Sequence, residues 1–427
     1  MALASTIAGN SHWLPRNPDR ALDHIPGEKG LPVIGNTFRV LADPAGFGRR
    51  MIEKYGNVYR NTAFGGPAVM LVGPDANELV LFDRDKIFSS EQGWGPFLNL
   101  LFPRGLMLMD FDKHRADRKI MSVAFKPEPM RHYAEVLNAG IAREVSGWGE
   151  RSAARPMPFY AAIKQLSLDL AAESFLGMEL GVEADQVNKA FVDEVQAAIA
   201  PVRWPLPGTQ LRRGVKAREY LIDLFEREIP KRRTGTGLEF FSQFCRATGD
   251  DGEPLSAPQI ADHMNFLMMA AHDTITSSAT TLMQALGRHP EWQEKLRAEI
   301  ADTGSNDGSI SYDQLDKLVL TEYAFKEALR LMAPVPSIPR RALRDFEFGG
   351  YRIPAGTYVA VNPGHTHHMA EHWPDPDTFD PMRFAPEAVR ARHKYAWVPF
   401  GGGAHMCIGL HFAIMQVRIL TAQVLSR

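Results

Sequence analysis

The sequence predicts a mainly α-helical protein with a small β region, on three observations. Apolar residues recur at helical spacing over about 128–150, 159–176, 185–200, 210–230 and 255–288. Strand-like pieces are confined to two places, before residue 75 and after residue 340. No internal repeat or low-complexity tract breaks the 427 residues, although length alone would suggest two or three domains. The 45% hydrophobic and 23% charged content is that of an ordinary soluble globular chain, and a net charge of -2 offers nothing to attract nucleic acid. Cys245 and Cys407 are far apart in different contexts, which argues against a disulfide framework and fits a reducing cytoplasm.

Taken in order, the chain opens on a polar leader, residues 1–24, with no apolar run long enough for a transmembrane anchor or a signal peptide. Ile25 to Gly35 is rich in turn residues. Val58–Phe64 and Ala68–Val72 read as two strands of a hairpin around Gly65-Gly66-Pro67, and Asp75 is placed to cap a helical pattern through Phe82. Ser89 to Met109 mixes aromatic, apolar and glycine residues without a clean period and reads as a loop over a pocket. The long helical segments follow, separated by breaks such as Trp204-Pro-Leu-Pro-Gly208. Helical patterns continue over Glu291–Asp302, Ser311–Leu318 and Thr321–Leu331, and strand-like pieces appear at Phe346–Phe348, Tyr351–Ile353 and Tyr358–Asn362.

Chemistry concentrates in Phe400-Gly-Gly-Gly-Ala-His-Met-Cys407-Ile-Gly409, a lone cysteine among glycines just ahead of the helical pattern Leu410–Leu420. A cysteine that ligates a metal must be deprotonated, which backbone N–H groups, a helix N-terminus or positive charge all favour. The glycines permit a tight turn against a flat group, Phe400 can cover the sulfur, and His405 can hydrogen-bond an anion. The plainer reading of such a cysteine is a small buried hydrophobe, which also suits Cys245. On the segment Leu267 to Ile275, Asp273 beside Thr274 can relay protons with water, and the threonine can bond back one turn; Asp-Thr is also a common dipeptide. Glu327 and Arg330 share a helix face at i, i+3, as a buried pair or as an ordinary solvated face. His114 and Arg118, at i, i+4, are a pair of anion donors or another solvated face. His365, His367, His368 and His372 read as a surface loop and not as a metal cluster.

The spacing Phe-x-x-Gly-x-x-x-Cys-x-Gly resembles the haem-binding signature of the cytochrome P450 superfamily, and the other motifs fall in that family's order from Pro26 onward. The resemblance implies the cytochrome P450 fold in one catalytic domain, 25–427. Cys407 would be the axial ligand of haem b (iron protoporphyrin IX), in a loop to which Phe400, Gly403 and Gly409 belong, and a thiolate ligand favours O–O cleavage. His114, Arg118, Arg340 and His405 would hold the haem propionates, and Asp273 and Thr274 would route protons. Glu327 and Arg330 would form a buried stabilising triad with Arg383, from Phe379-Asp-Pro-Met-Arg383-Phe384. Met382 and Ala271 stand where the family commonly has an acid and a glycine. Only twenty residues follow Cys407, so the C-terminal β-hairpin usual in the family is expected to be lacking.

The function so implied is a soluble monooxygenase using O2 to hydroxylate or epoxidise a lipophilic small molecule such as a sterol, retinoid, terpenoid or other hydrocarbon-like compound. Trp94, Phe97, Leu100, Met109 and Leu206 fall in segments that line the family's substrate cavity. So do Met268, Ala270, Val335 and Ile338, and nearly all nine are apolar. The segments Trp204–Thr209 and Gly30–Gly35 look closer to the branch acting on sterols and retinoids than to that acting on small terpenes. The chain carries no flavin or iron–sulfur motif, so electrons would come from NAD(P)H through a separate ferredoxin or flavodoxin with its reductase. Arg115, Lys119, Arg392, Lys394 and Arg418 are a candidate basic surface for that partner. Two alternatives are a peroxide-driven hydroxylase, against which the intact Asp273-Thr274 pair argues, and a non-catalytic haem-containing binding or sensing protein.

Overall fold

The computed structural model describes residues 19–200, 202–250 and 252–427; most of the expected leader lies outside them. The protein is mainly α-helical with a small β region, as the periodicities predict. Helices of nine residues or more are α1 Pro44–Tyr55, α2 Ser90–Leu98, α3 Phe111–Met121, α4 Pro127–Val145, α5 Phe159–Ala171, α6 Val182–Ala198, α7 Gln210–Thr234, α8 Ala257–Arg288, α9 Pro290–Asp302, α10 Val319–Leu331 and α11 Leu410–Leu425. The strands are β1 Gly27–Glu28, β2 Val58–Ala63, β3 Gly66–Leu71, β4 Phe88–Ser89, β5 Ile338–Ala342, β6 Phe346–Phe348, β7 Tyr351–Ile353 and β8 Tyr358–Val361.

Helix α8 spans 32 residues. It begins with a reciprocal cap in which Gln259 returns to the Ser256 backbone N–H at 3.1 Å. It crosses the helical core against α5, α7 and α10, while α11 lies along α4. The main core joins residues from Leu98 to Leu425, including Tyr133, Phe175, Phe240 and Phe412, whose rings meet edge-on or tilted. Six strands form one sheet in the order β1-β2-β3-β8-β5-β4, and β6 and β7 pair separately. The hairpin β2–β3 turns on Phe64 and Gly65, both left-handed at φ 52° and 88°. β3 alternates inward and outward side chains, as a strand with one covered face must.

Three local expectations change. Gly73, not Asp75, caps the turn Pro74–Asn77, which continues as a π-turn Glu78–Phe82. Part of the loop expected over Ser89–Met109 is helix α2, capped by the Ser89 hydroxyl, which accepts from the Gln92 N–H at 2.9 Å. Its glycines hid the period for a packing reason: a Cβ on Gly93 would lie 2.6 Å from the Pro339 carbonyl of β5. Strand β5 is not among the strand-like pieces read from the sequence, because it carries Pro339, Arg340 and Arg341; all five of its residues are buried between β8 and β4.

Candidate active site

The loop carrying Cys407 is shaped from behind. Gly401 and Gly403 are left-handed, at φ 72° and 60°. A Cβ on Gly402 would sit 2.7 Å from the Phe82 ring, and one on Gly403 2.3 Å from the Leu81 carbonyl. These two glycines therefore let the loop close on the π-turn Glu78–Phe82. The Cys407 N–H donates to the Phe400 carbonyl at 2.9 Å, and Phe400 stacks edge-on to Trp397 at 6.2 Å between ring centres. Gly409 precedes α11, with open space where its Cβ would be. Cys407 is exposed by area. Protein nevertheless crowds its other sides: burial pushes the thiol up, against the Gly409 N–H and the Arg118 charge, which lower it.

Around this sulfur the fold gathers basic groups. Helix α3 brings His114 and Arg118, β5 brings Arg340, and the loop brings His405. The His114 and His405 rings lie 4.0 Å apart. Burial first, then Arg118 and Arg340, hold His114 down at about 4; burial, Arg340, His114 and Arg118 hold His405 at about 2. Both are neutral donors at pH 7. Arg340 is lowered to about 10 by burial and stays charged. The nearest acids are occupied: Asp83 takes the Ile87 and Phe88 N–H groups, and Asp110 takes the Ser89 hydroxyl and Ser90 N–H. His114 is 2% exposed, and its Nε2 has no hydrogen-bond partner. Two arginines and two imidazoles thus face one place, a setting that suits an anion.

Behind the loop, Arg330 grips Glu327 with two bonds of 2.7 and 2.8 Å, both side chains being fully buried. Its other N–H groups hold the His367, Pro376 and Thr378 carbonyls at 2.7–3.1 Å. Arg383 reaches Glu327 at 3.4 Å, so the triad contacts exist, and the solvated-face reading of Glu327 and Arg330 does not hold. The histidine segment is not a surface loop: His367 is fully buried and accepts the Val398 N–H at Nε2, 3.0 Å away. Burial, ahead of the His368 and Arg330 charges, lowers His367 from 6.5 to about 3. The contribution of its neutral form is complete above pH 6.5 and is lost as pH falls toward 3, because only the unfolded chain takes the proton in between. At pH 5.5 the loss expected from His367 alone is about 1 kcal/mol. The melting temperature should therefore fall less steeply with acid in His367→Gln than in the natural protein.

On α8 the two faces divide. Ala270, Asp273 and Thr274 are half-buried on the open face, while Met268 and His272 are buried one turn apart. The Thr274 hydroxyl donates to the Ala270 carbonyl at 2.8 Å, and the helix remains unbroken. Asp273 lies 3.7 Å from Lys164 of α5 and 3.2 Å from His272. Burial would raise its carboxyl, but these two neighbours outweigh burial and lower it. Sequence reasoning missed Lys164, because nothing local marks a partner on another helix, and gave no role to His272 although it directly precedes Asp273.

Of the nine pocket candidates, Trp94, Phe97, Leu100, Ala270 and Val335 are half-buried. Met109, Met268 and Ile338 are buried from solvent, Ile338 as an inner residue of β5. Leu206 is 55% exposed at the surface. The proposed basic surface is also reduced. Arg418 is buried against Glu322, Arg392 stacks on Trp373 at 3.8 Å, and Lys119 pairs with Asp250. Arg115, Lys119 and Lys394 are exposed, Arg115 lying 3.8 Å from Asp112.

The family model described as cytochrome P450 matches residues 25–427. The chain belongs to the cytochrome P450 family. The protein named cytochrome P450 136 of Mycobacterium tuberculosis is 37% identical over 414 residues, 96% of this chain and 83% of that one. Cytochrome P450 26A1 of Danio rerio is 28% identical, over 93% of this chain and 83% of its own. The solved structure of a retinoic acid-bound cyanobacterial CYP120A1 superposes with a TM-score of 0.83 at 27% identity, covering 94% of this chain and 91% of that one. The fold is accordingly the cytochrome P450 fold, and the protein is a cytochrome P450 monooxygenase, an oxidoreductase of a family that uses haem, O2 and reducing partners. The exposed sulfur and the unsatisfied His114 Nε2 among cations fit a dianionic haem of this P450. Among the described residues no helix is long and apolar enough to cross a membrane.

Proposed function

We propose that this P450 hydroxylates or epoxidises a lipophilic, hydrocarbon-like small molecule. The observation that carries the reading is the convergence of Arg118, Arg340, His114 and His405 beside the open Cys407 sulfur, with His114 Nε2 lacking a partner. In this reading Cys407 ligates the iron of haem b, and the four basic residues bind its propionates. When bound, haem b supplies the dioxygen chemistry, with electrons from NAD(P)H through a ferredoxin or flavodoxin and its reductase.

The chain's own residues do the rest. Glu327, Arg330 and Arg383 keep the segment leading to the cysteine loop in place through the bonds described above. Thr274 keeps its hydroxyl on the open face of α8, and Asp273 beside it carries protons inward from its 36% exposed side chain. Residues 25–427 act as one catalytic domain, and two unlinked cysteines suit a reducing cytoplasm.

The half-buried Trp94, Phe97, Leu100, Ala270 and Val335 carry no charge, so a substrate there is recognised by apolar area more than by polar contacts. The retinoic acid held by the cyanobacterial relative supports an extended lipophilic guest. Titration with retinoids, steroids, terpenoids and small polar aromatics should move the Soret band from low to high spin with lipophilic members of the panel. A shift produced only by the polar aromatics would contradict the substrate class.

A further inference from the structure

His272 stands directly before Asp273, is fully buried, and has no part in the reading so far. Its Nδ1 lies 3.0 Å from the Met268 carbonyl. A carbonyl only accepts, so Nδ1 carries the hydrogen and, in a neutral ring, Nε2 presents a lone pair. Nε2 is 3.2 Å from Asp273 Oδ1, an ion-pair distance without hydrogen-bond alignment, and both buried atoms lack a hydrogen-bond partner. Two acceptors held this close repel unless one of them carries a proton. From α5, Lys164 faces the carboxylate at 3.7 Å, and the Ser167 hydroxyl lies 3.0 Å from that of Thr276 and 3.4 Å from the His272 carbonyl. His272 and Lys164 both lower the Asp273 carboxyl.

We propose that His272 and Asp273 together hold one proton, and that His272 is the positioning residue that keeps Asp273 supplied with it. The inference rests on reading Asp273 and Thr274 as the proton route. The proton rests on Nε2, the arrangement that Lys164 favours by stabilising the carboxylate. In use it moves from Nε2 to Oδ1, and Asp273 passes a proton toward Thr274. A neutral imidazole and a carboxylate are left, the negative charge offset by Lys164, and water reaching the half-exposed Asp273 returns a proton to the pair. A proton stored in this way makes delivery insensitive to bulk pH near neutrality.

Two readouts test this on the haem-loaded protein. In the diamagnetic ferrous-CO form with 15N-labelled histidine, the resonance lost in His272→Gln should be that of a protonated Nε2; an unprotonated Nε2 in the natural protein overturns the proposal. In turnover, His272→Gln leaves an amide that can touch Asp273 but cannot release a proton. Product formed per NAD(P)H should then fall about tenfold at high pH, part of the 10²–10⁴ a positioned acid supplies, and recover as pH is lowered. The natural protein should show a flat profile. An equal loss at every pH, with an altered CO spectrum, would make His272 merely structural and overturn the proposal. Asp273→Asn separates the two levels. If it uncouples while His272→Gln does not, only the present inference fails; if Asp273→Asn leaves coupling intact, the proton route itself fails.

Discussion

Cys407→Ala is expected to reduce dioxygen-dependent turnover to background while leaving the fold in place. The Gly409 N–H approaches the sulfur, but the loop is held by the Cys407 N–H on the Phe400 carbonyl and by Gly402 and Gly403 against Leu81 and Phe82. Alanine keeps all of these. Because the side chain is exposed, the stability change should stay within about 0.5 kcal/mol. Turnover and denaturant midpoint measured on the same preparation separate lost chemistry from lost folding. A variant retaining substantial O2-driven turnover would contradict the ligand assignment.

Glu327→Ala should give the largest loss of stability of any single change near the site. Glu327 and Arg330 are both fully buried, so removing the carboxylate leaves a guanidinium in the interior without its counter-charge, and Arg383 loses the same partner. Breaking a buried pair from one side costs about 3–5 kcal/mol, against well under 1 kcal/mol for an exposed pair. The change should also slacken the chain from His367 to Thr378, whose carbonyls Arg330 holds. A urea midpoint shifted by less than 1 kcal/mol equivalent would mean that the triad is energetically a surface pair.

The parts of this protein legible in the sequence are those whose information is contiguous. The cysteine loop lies in ten neighbouring residues, and the long helices repeat their pattern for several turns, so both were found with boundaries good to a few residues. What stayed hidden is set by partners distant in the chain. Arg340 and Arg341 look too polar and Pro339 too stiff for an inner strand, until β8 and β4 are seen to enclose β5. Gly93 reads as a helix breaker but is required by the approach of β5 to α2. Gly402 and Gly403 were read as making room for a flat macrocycle, whereas their bare Cα atoms face Leu81 and Phe82. Met268 and Ala270 differ by two positions, yet helical rotation sends one into the core and leaves the other half-open, a distinction that needs the neighbouring helices. Arg418 and Arg392 read as free surface charge until Glu322 and Trp373 are placed beside them.

The central claim is that Cys407 presents sulfur to a haem iron whose carboxylates are met by Arg118, Arg340, His114 and His405. The most direct test is the CO-difference spectrum of the dithionite-reduced, haem-loaded natural protein, recorded beside Cys407→Ala. The account predicts a thiolate-type Soret band in the natural protein and its absence in the variant. A nitrogen-ligated spectrum in the natural protein, or the same thiolate band in both, would contradict it.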